Sequence, residues 1–192
     1  MEEKLSILYK ECIEELSSIG INILDEQVMG NIDIKISTRS KKRYGCCKQE
    51  EPDASSKQVQ RRGFRRIISY NKYNKHHIEV SSWVMDLDED IVKNTIIHEL
   101  IHCIPYCNNH GIEFKKYAKF INTKLGYDIT RVGNKKQDYE KSNIEYKEEE
   151  IYKYKIECKQ CGQVFFRKRL SKNFILKYRC GKCRSKFIIT EL

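Results

Sequence analysis

Apolar side chains recur at helical spacing over Leu5, Leu8, Tyr9, Cys12, Ile13 and Leu16, and Gly20 follows them. That spacing predicts a helix over residues 3–19 with the glycine as its C-terminal stop. Ile32, Ile34 and Ile36 alternate with Asp33 and Lys35, the period of a strand. Residues 40–63 are rich in Lys, Arg, Gly, Ser and Gln, contain one proline, and read as a mobile basic loop. Segments 64–70 and 78–83 read as two more strands joined by a polar turn at 71–75. Asp88 or Asp90 can cap a helix that runs to Ile104, where Pro105 blocks continuation. A further helix fits 112–125, with Phe114, Tyr117, Ala118, Ile121 and Leu125 on one face and Gly126 after it. The polar stretch that ends in Glu148-Glu149-Glu150 reads as a linker. The expected organisation is a core over 1–132, a charged linker over 133–150 and a small module over 151–192.

Composition narrows the class. The chain has 192 residues, 40% of them hydrophobic and 33% charged, with a mean hydropathy of −0.68. No apolar run approaches the ~20 residues of a spanning helix, so no membrane association is expected. The opening Met1-Glu2-Glu3-Lys4 lacks the apolar segment of a secretory signal. The expected location is the cytoplasm, at the nucleoid in a bacterium. Nine cysteines, an odd number, then favour reduced thiols and metal ligation over a disulfide framework.

The net charge of +10 is unevenly spread. Residues 1–34 carry −6, residues 35–75 carry +10, residues 76–150 carry −4, and residues 151–192 carry +10. Two basic blocks flanking an acidic middle favour a polyanionic partner, and nucleic acid is the commonest inside cells.

The sharpest chemical signal is His98-Glu99-Leu100-Ile101-His102 in an apolar helix. Histidines at i and i+4 share a helical face, so both imidazoles can reach one Zn²⁺ at ~2.0–2.1 Å. Glu99, rotated off that line, is placed to take a proton from a metal-bound water as it attacks a polarised carbonyl. Three protein ligands and a water make an open, hydrolytic site. His110 is the preferred third ligand, because the turn after Pro105 can carry it back over the first two. Cys103, Cys107 and Glu113 are its rivals. Tyr106, Tyr117 and Tyr127 lie near the motif, and any one of them could stabilise an oxyanion.

Cys158-Lys159-Gln160-Cys161 and Cys180-Gly181-Lys182-Cys183 form two knuckles that together complete a tetrahedral four-thiolate zinc site. Gly162 and Gly181 are expected at their tight turns. A tail this small depends on metal to fold. Arg167, Lys168, Arg169, Lys172, Lys177, Arg179, Lys182, Arg184 and Lys186 interleave with aromatic residues. The cations suit phosphates, and an exposed ring suits single-stranded bases. Most of the aromatics are expected to fill the module's small core.

Taken together, His98-Glu99-x-x-His102, His110-Gly111-Ile112-Glu113-Phe114, Phe120-Ile121-Asn122 and Gly126-Tyr127-Asp128-Ile129-Thr130 resemble the SprT-like (Spartan-type) zinc metalloprotease family. Arg43-Tyr44-Gly45-Cys46 and Ile78-Glu79-Val80-Ser81 add to the resemblance, which covers roughly residues 1–132. The 48–63 segment is longer than the family pattern, and Cys46-Cys47 is doubled. The resemblance implies an α+β fold: a zincin-like core made of an N-terminal helix, a small three-stranded sheet, the HExxH helix and a following helix. A small C-terminal zinc ribbon completes it. It also implies three histidine ligands (His98, His102, His110), Glu99 as base, and cleavage of proteins bound or crosslinked to DNA. The expected cofactors are one catalytic and one structural zinc, the expected partners DNA and DNA-bound proteins, and the expected state a monomer. The rival readings are a nucleic-acid-binding adaptor whose metal is structural, and a general peptidase for which the basic tail is incidental.

Overall fold

Helix α1 (Glu2–Ser18) turns Leu5, Leu8, Cys12, Ile13 and Leu16 inward, the face its spacing predicts. It packs on α3 (Glu89–Ile101), and Lys93 of α3 reaches back to Glu11 and Glu15 at 2.7 and 3.0 Å. In this computed structural model residues 1–146 and 152–192 are described. The chain divides into two units, Met1–Tyr146 and Lys147–Leu192.

In the first unit a short helix, α2 (Glu26–Met29), leads into a mixed three-stranded sheet ordered β1-β5-β2. Strand β1 (Asn31–Ser37) runs parallel to β5 (Tyr73–Ser81), with Ile34 opposite Ile78. Strand β2 (Gly45–Pro52) runs antiparallel along the other edge of β5, with Cys47 opposite Ile78. Ile78 and Val80 of the central strand are fully buried. Helix α3 is apolar on most of its surface because it is covered on several sides, by α1, β2, β5 and α4 (Ile112–Leu125). Phe114, Ala118 and Ile121 are the buried face of α4, which ends at Gly126 in the left-handed conformation (φ 77°). Burying an Ile, Leu or Phe side chain contributes about 1.5–3 kcal/mol, so this contiguous core holds α3 rigidly.

Three expectations are corrected. The sheet does have three strands, but 64–70 is not among them: that segment is β4 (Arg65–Tyr70), paired only with β3 (Lys57–Arg62) in a separate hairpin. The basic loop expected over 40–63 instead holds β2, a 3-10 turn at Ala54–Ser56 and β3. Both strands escaped the periodicity test because β2 is half exposed and β3 is exposed on both faces, so neither needs alternating apolar residues. The strand expected at 78–83 begins at Tyr73 and gives way to a 3-10 turn at Ser82–Asp86.

The expected linker is also partly structured. Helix α5 (Lys135–Lys141) belongs to the first unit. It is polar all round, yet Asn134 caps its Gln137 amide, Tyr44 Oη donates to Asp138 at 2.5 Å, and Tyr139 stacks on Trp83 at 5.9 Å. These tertiary ties replace the missing apolar stripe. The remainder of the linker expectation, 147–150, lies outside the described residues.

The second unit is a three-stranded sheet ordered β7-β6-β8: β6 (Tyr154–Cys158), β7 (Val164–Arg167) and β8 (Phe187–Glu191), with a one-turn helix α6 (Phe174–Lys177) between the last two. Its buried hydrophobic cluster is small: Ile156, Phe187 and the sulfurs of Cys158 and Cys180. Phe165 and Phe174 pack on Phe187, while Phe166 and Tyr178 stay exposed.

His76 in β5 tests the first unit's packing. It is buried beside the backbone of Met29, its Nδ1 has no partner among the described residues, and burial pulls its pKa down from 6.5 to about 4. The unfolded chain therefore takes up this proton first. The associated stability is fully present above pH ~6.5 and is lost as pH falls toward 4. Thermal unfolding followed across that window is expected to show a steeper loss of Tm in the parent than in His76→Phe; parallel curves would contradict the assignment.

Candidate metal centre and its cleft

Helix α3 ends at Ile101, with His102 as its cap residue, so His98 and His102 project from one side of its last turn. The chain then passes Pro105, takes a positive φ at Tyr106 (69°), and returns through Asn108 and Asn109 to His110. His98 Nε2 lies 2.9 Å from His110 Nε2, and His102 Nε2 lies 3.3 Å from it. Two nitrogens bound tetrahedrally at the ~2.0–2.1 Å of zinc–imidazole bonds sit about 3.3 Å apart. The donor set therefore fits zinc.

Each ring is held from behind. His102 Nδ1 lies 2.7 Å from the Cys107 carbonyl, which fixes its proton there and leaves Nε2 as the lone-pair donor. The backbone of Thr130 does the same for His98. The ring of Phe114 packs against all three imidazoles at 4.7–4.9 Å between centroids. Burial lowers the pKa of all three, that of His98 to about 4, which keeps them in the neutral form that can ligate.

Glu99 is buried, one residue past His98 on α3. Burial raises its pKa from 4.5 to about 7, opposed by the backbone of Cys47 and by Arg43. Strand β2 passes so close that a Cβ at Gly45 would lie 2.7 Å from Glu99 Oε1. Only glycine leaves room for the carboxyl there. The cleft over these groups encloses about 780 Å³. Its walls come from β2, the end of α3, the 108–110 turn, the 128–134 segment and α5. The Asn122 side chain clamps the 128–134 wall, accepting from the Ile129 amide at 2.9 Å and donating to its carbonyl at 3.2 Å.

The rival ligands lie elsewhere. Cys103 Sγ is 3.8 Å from Cys47 Sγ, Cys107 contributes its carbonyl, and Glu113 pairs with Lys116. Tyr127 donates to Glu15 on α1 and is removed from the oxyanion candidates by that bond. Four contributors to the site were given no role by sequence reading, although three of them lie in the segments that carry the resemblance: Gly45, the Cys47 backbone, the Thr130 backbone and Asn122. Three of them act through backbone or through absence of a side chain, which leaves no compositional trace.

In the second unit the sulfurs of Cys158, Cys161, Cys180 and Cys183 lie within 4.8 Å of one another, a set that could hold a metal ion. Backbone N–H groups of Cys161 and Gln160 lower the Cys158 thiol to about 6, and those of Cys183 and Lys182 lower Cys180. Thiolates held by such amides are the donors zinc selects. The two knuckles repeat each other: Gly162 (φ 67°) and Arg184 (φ 60°) hold the matching left-handed positions, each donating to the carbonyl of its first cysteine. The second knuckle thus turns at Arg184, not at the expected Gly181. Arg167, Lys168, Arg169, Lys172, Lys177, Lys182 and Lys186 are exposed, as are Arg179 and Arg184, and Arg179 also caps the carbonyls of Ile175 and Leu176.

Among curated proteins, "Protein SprT-like" of Lactococcus lactis subsp. lactis is 32% identical over 113 residues, 59% of this chain and 66% of that protein. "Protein SprT-like" of Oceanobacillus iheyensis is 58% identical over 33 residues, 17% of this chain and 21% of that protein. The chain thus spans just under two thirds of the first and about a fifth of the second. No solved structure matches it. The SprT-like family model matches residues 13–136, a span that holds the three convergent imidazoles, Glu99 and most of the cleft lining, and the chain therefore belongs to the SprT-like family.

Proposed function

We propose that this protein is a zinc-dependent endopeptidase of the zincin type that cleaves proteins held on DNA. The observation that carries the reading is the meeting of three imidazole Nε2 atoms beside a buried carboxylate on the floor of an open cleft. His98, His102 and His110 would hold the metal. Zinc bound there supplies Lewis acidity that polarises a peptide carbonyl and acidifies water. Glu99 then takes the proton from the attacking water and passes it to the departing amine. Its burial behind Gly45 and the Cys47 backbone fixes its carboxyl while the reaction proceeds. The cleft of about 780 Å³ leaves the three imidazoles facing open space lined by Gly45, Cys46, Cys47 and Gln49 of β2 rather than a closed ligand shell, which favours the peptidase over the adaptor with a structural metal.

The four-cysteine module would hold a second zinc, and its exposed cations would tether the enzyme to DNA. Tethering raises the local concentration of substrate proteins on the same strand. The family membership and the charge distribution support this arrangement; a general peptidase would cleave equally well with and without DNA.

Three outcomes are expected. Mass spectrometry of the native chain finds two zinc ions, and His110→Ala or Cys183→Ser each leaves one. Glu99→Gln keeps both ions but slows cleavage of a DNA-bound protein by about 10²–10⁴-fold, the range for loss of a general base. Gly45→Ala, with unchanged zinc, slows it by about tenfold or more because the new methyl displaces the Glu99 carboxyl. Undiminished cleavage by Glu99→Gln would remove the proposed chemistry.

A further inference from the structure

The hairpin β3-β4 is the most exposed ordered element of the first unit. Every residue from Lys57 to Ser69 is exposed, and Phe64 at the tip is fully exposed beside Gly63 (φ 61°). Residues 57–70 contain five cations and no carboxylate. The ladder places Arg61 directly opposite Arg66, and Arg62 directly opposite Arg65. Like charges facing each other across a ladder destabilise it, and a lone two-stranded hairpin is marginal in water. Among the described residues no carboxylate forms an ion pair with any of these four arginines. What this arrangement lacks is a polyanion, and what its tip offers is an aromatic face.

The geometry points to the hairpin as a nucleic-acid-binding element in which the four arginines contact successive phosphates and Phe64 stacks on an unpaired base. A single strand is the fitting partner, because its bases are free to stack without the cost of opening a duplex. The hairpin's base is tied to the loop that carries His110: Asn108 Nδ2 donates to the Tyr70 carbonyl at 2.5 Å, and the Tyr106 amide donates to the Asn71 carbonyl at 2.8 Å. The hairpin is thus anchored at its base beside the turn that carries His110, with its arginines and Phe64 at the opposite end of the ladder, about 17 Å further out. The nucleic-acid contact there is additional to the C-terminal module's and stands whether or not that module binds DNA.

The test is anisotropy of a short labelled single-stranded DNA against the full chain, titrated at several salt concentrations. Parent, Phe64→Ala, Arg61→Gln/Arg66→Gln, and each of these in an Arg167→Gln/Arg169→Gln background are compared. Phe64→Ala is expected to weaken binding about tenfold with an unchanged salt slope, within the range of one lost base stack. The double arginine variant is expected to lower the slope of log K against log salt by about 1.4, or ~0.7 per phosphate contact. These side chains are exposed and the arginine pair repels across the ladder, so Tm should not fall. The same losses in the second background keep the hairpin's role separate from the C-terminal module's. RNA of the same sequence, run alongside, identifies which single strand is preferred. Parent-like binding by either hairpin variant overturns the inference, as does competition by polyglutamate equal to that of unlabelled oligonucleotide.

Discussion

Three neutral imidazoles do not leave their lone pairs pointing at a common point about 3 Å apart unless the surroundings force them to. Here the forcing groups are visible. The Cys107 carbonyl accepts a hydrogen bond from His102 Nδ1–H, the Thr130 backbone orients a second ring, and Phe114 fills the space behind all three. A cation bound at the focus would relieve the repulsion among these lone pairs. The rest of the first unit can be understood as what is needed to hold that focus: α3 presents two rings, α4 supplies the Phe114 platform, and the turn between them brings in the third.

The carboxyl depends on a different part of the chain. Glu99 sits on α3, but its immediate surroundings come from β2, whose backbone passes at Gly45 and Cys47. Strand β2 is positioned by pairing with β5, and β5 by pairing with β1. The sheet therefore mounts the site's polar wall at one edge while Ile78 and Val80 of its central strand join the core. Gln49 of β2 completes the mount by donating to the His102 carbonyl at 2.7 Å, which ties the strand to the end of the helix carrying the ligands.

The elements with a buried apolar face were legible in the sequence. Helices α1 and α4 and strand β1 fall within a residue or two of the spans their periodicity predicts, because burial of one face dictates the pattern. The convergence of the three histidines and of the four cysteines was legible because helix and knuckle geometry fix their spacing. Strand β2, the hairpin and α5 were not. Their stability comes from backbone pairing, from Tyr44–Asp138 and from Tyr139 on Trp83, none of which imposes a period. The same distinction explains the second knuckle, where Arg184 adopts a conformation that composition assigns to glycine.

Charge and chemistry are segregated along the chain. The convergent imidazoles and Glu99 lie in the acidic middle, whereas the basic 35–75 stretch contributes Lys42 and Arg43 to the cleft lining and carries the exposed hairpin arginines. The most direct test of the whole account is anomalous diffraction at the zinc edge from crystals of the full chain. The account predicts a peak about 2.1 Å from Nε2 of His98, His102 and His110, with its remaining position open to the cleft beside Glu99. A peak elsewhere in the first unit, or one closed by a fourth protein donor such as a cysteine sulfur, would contradict it.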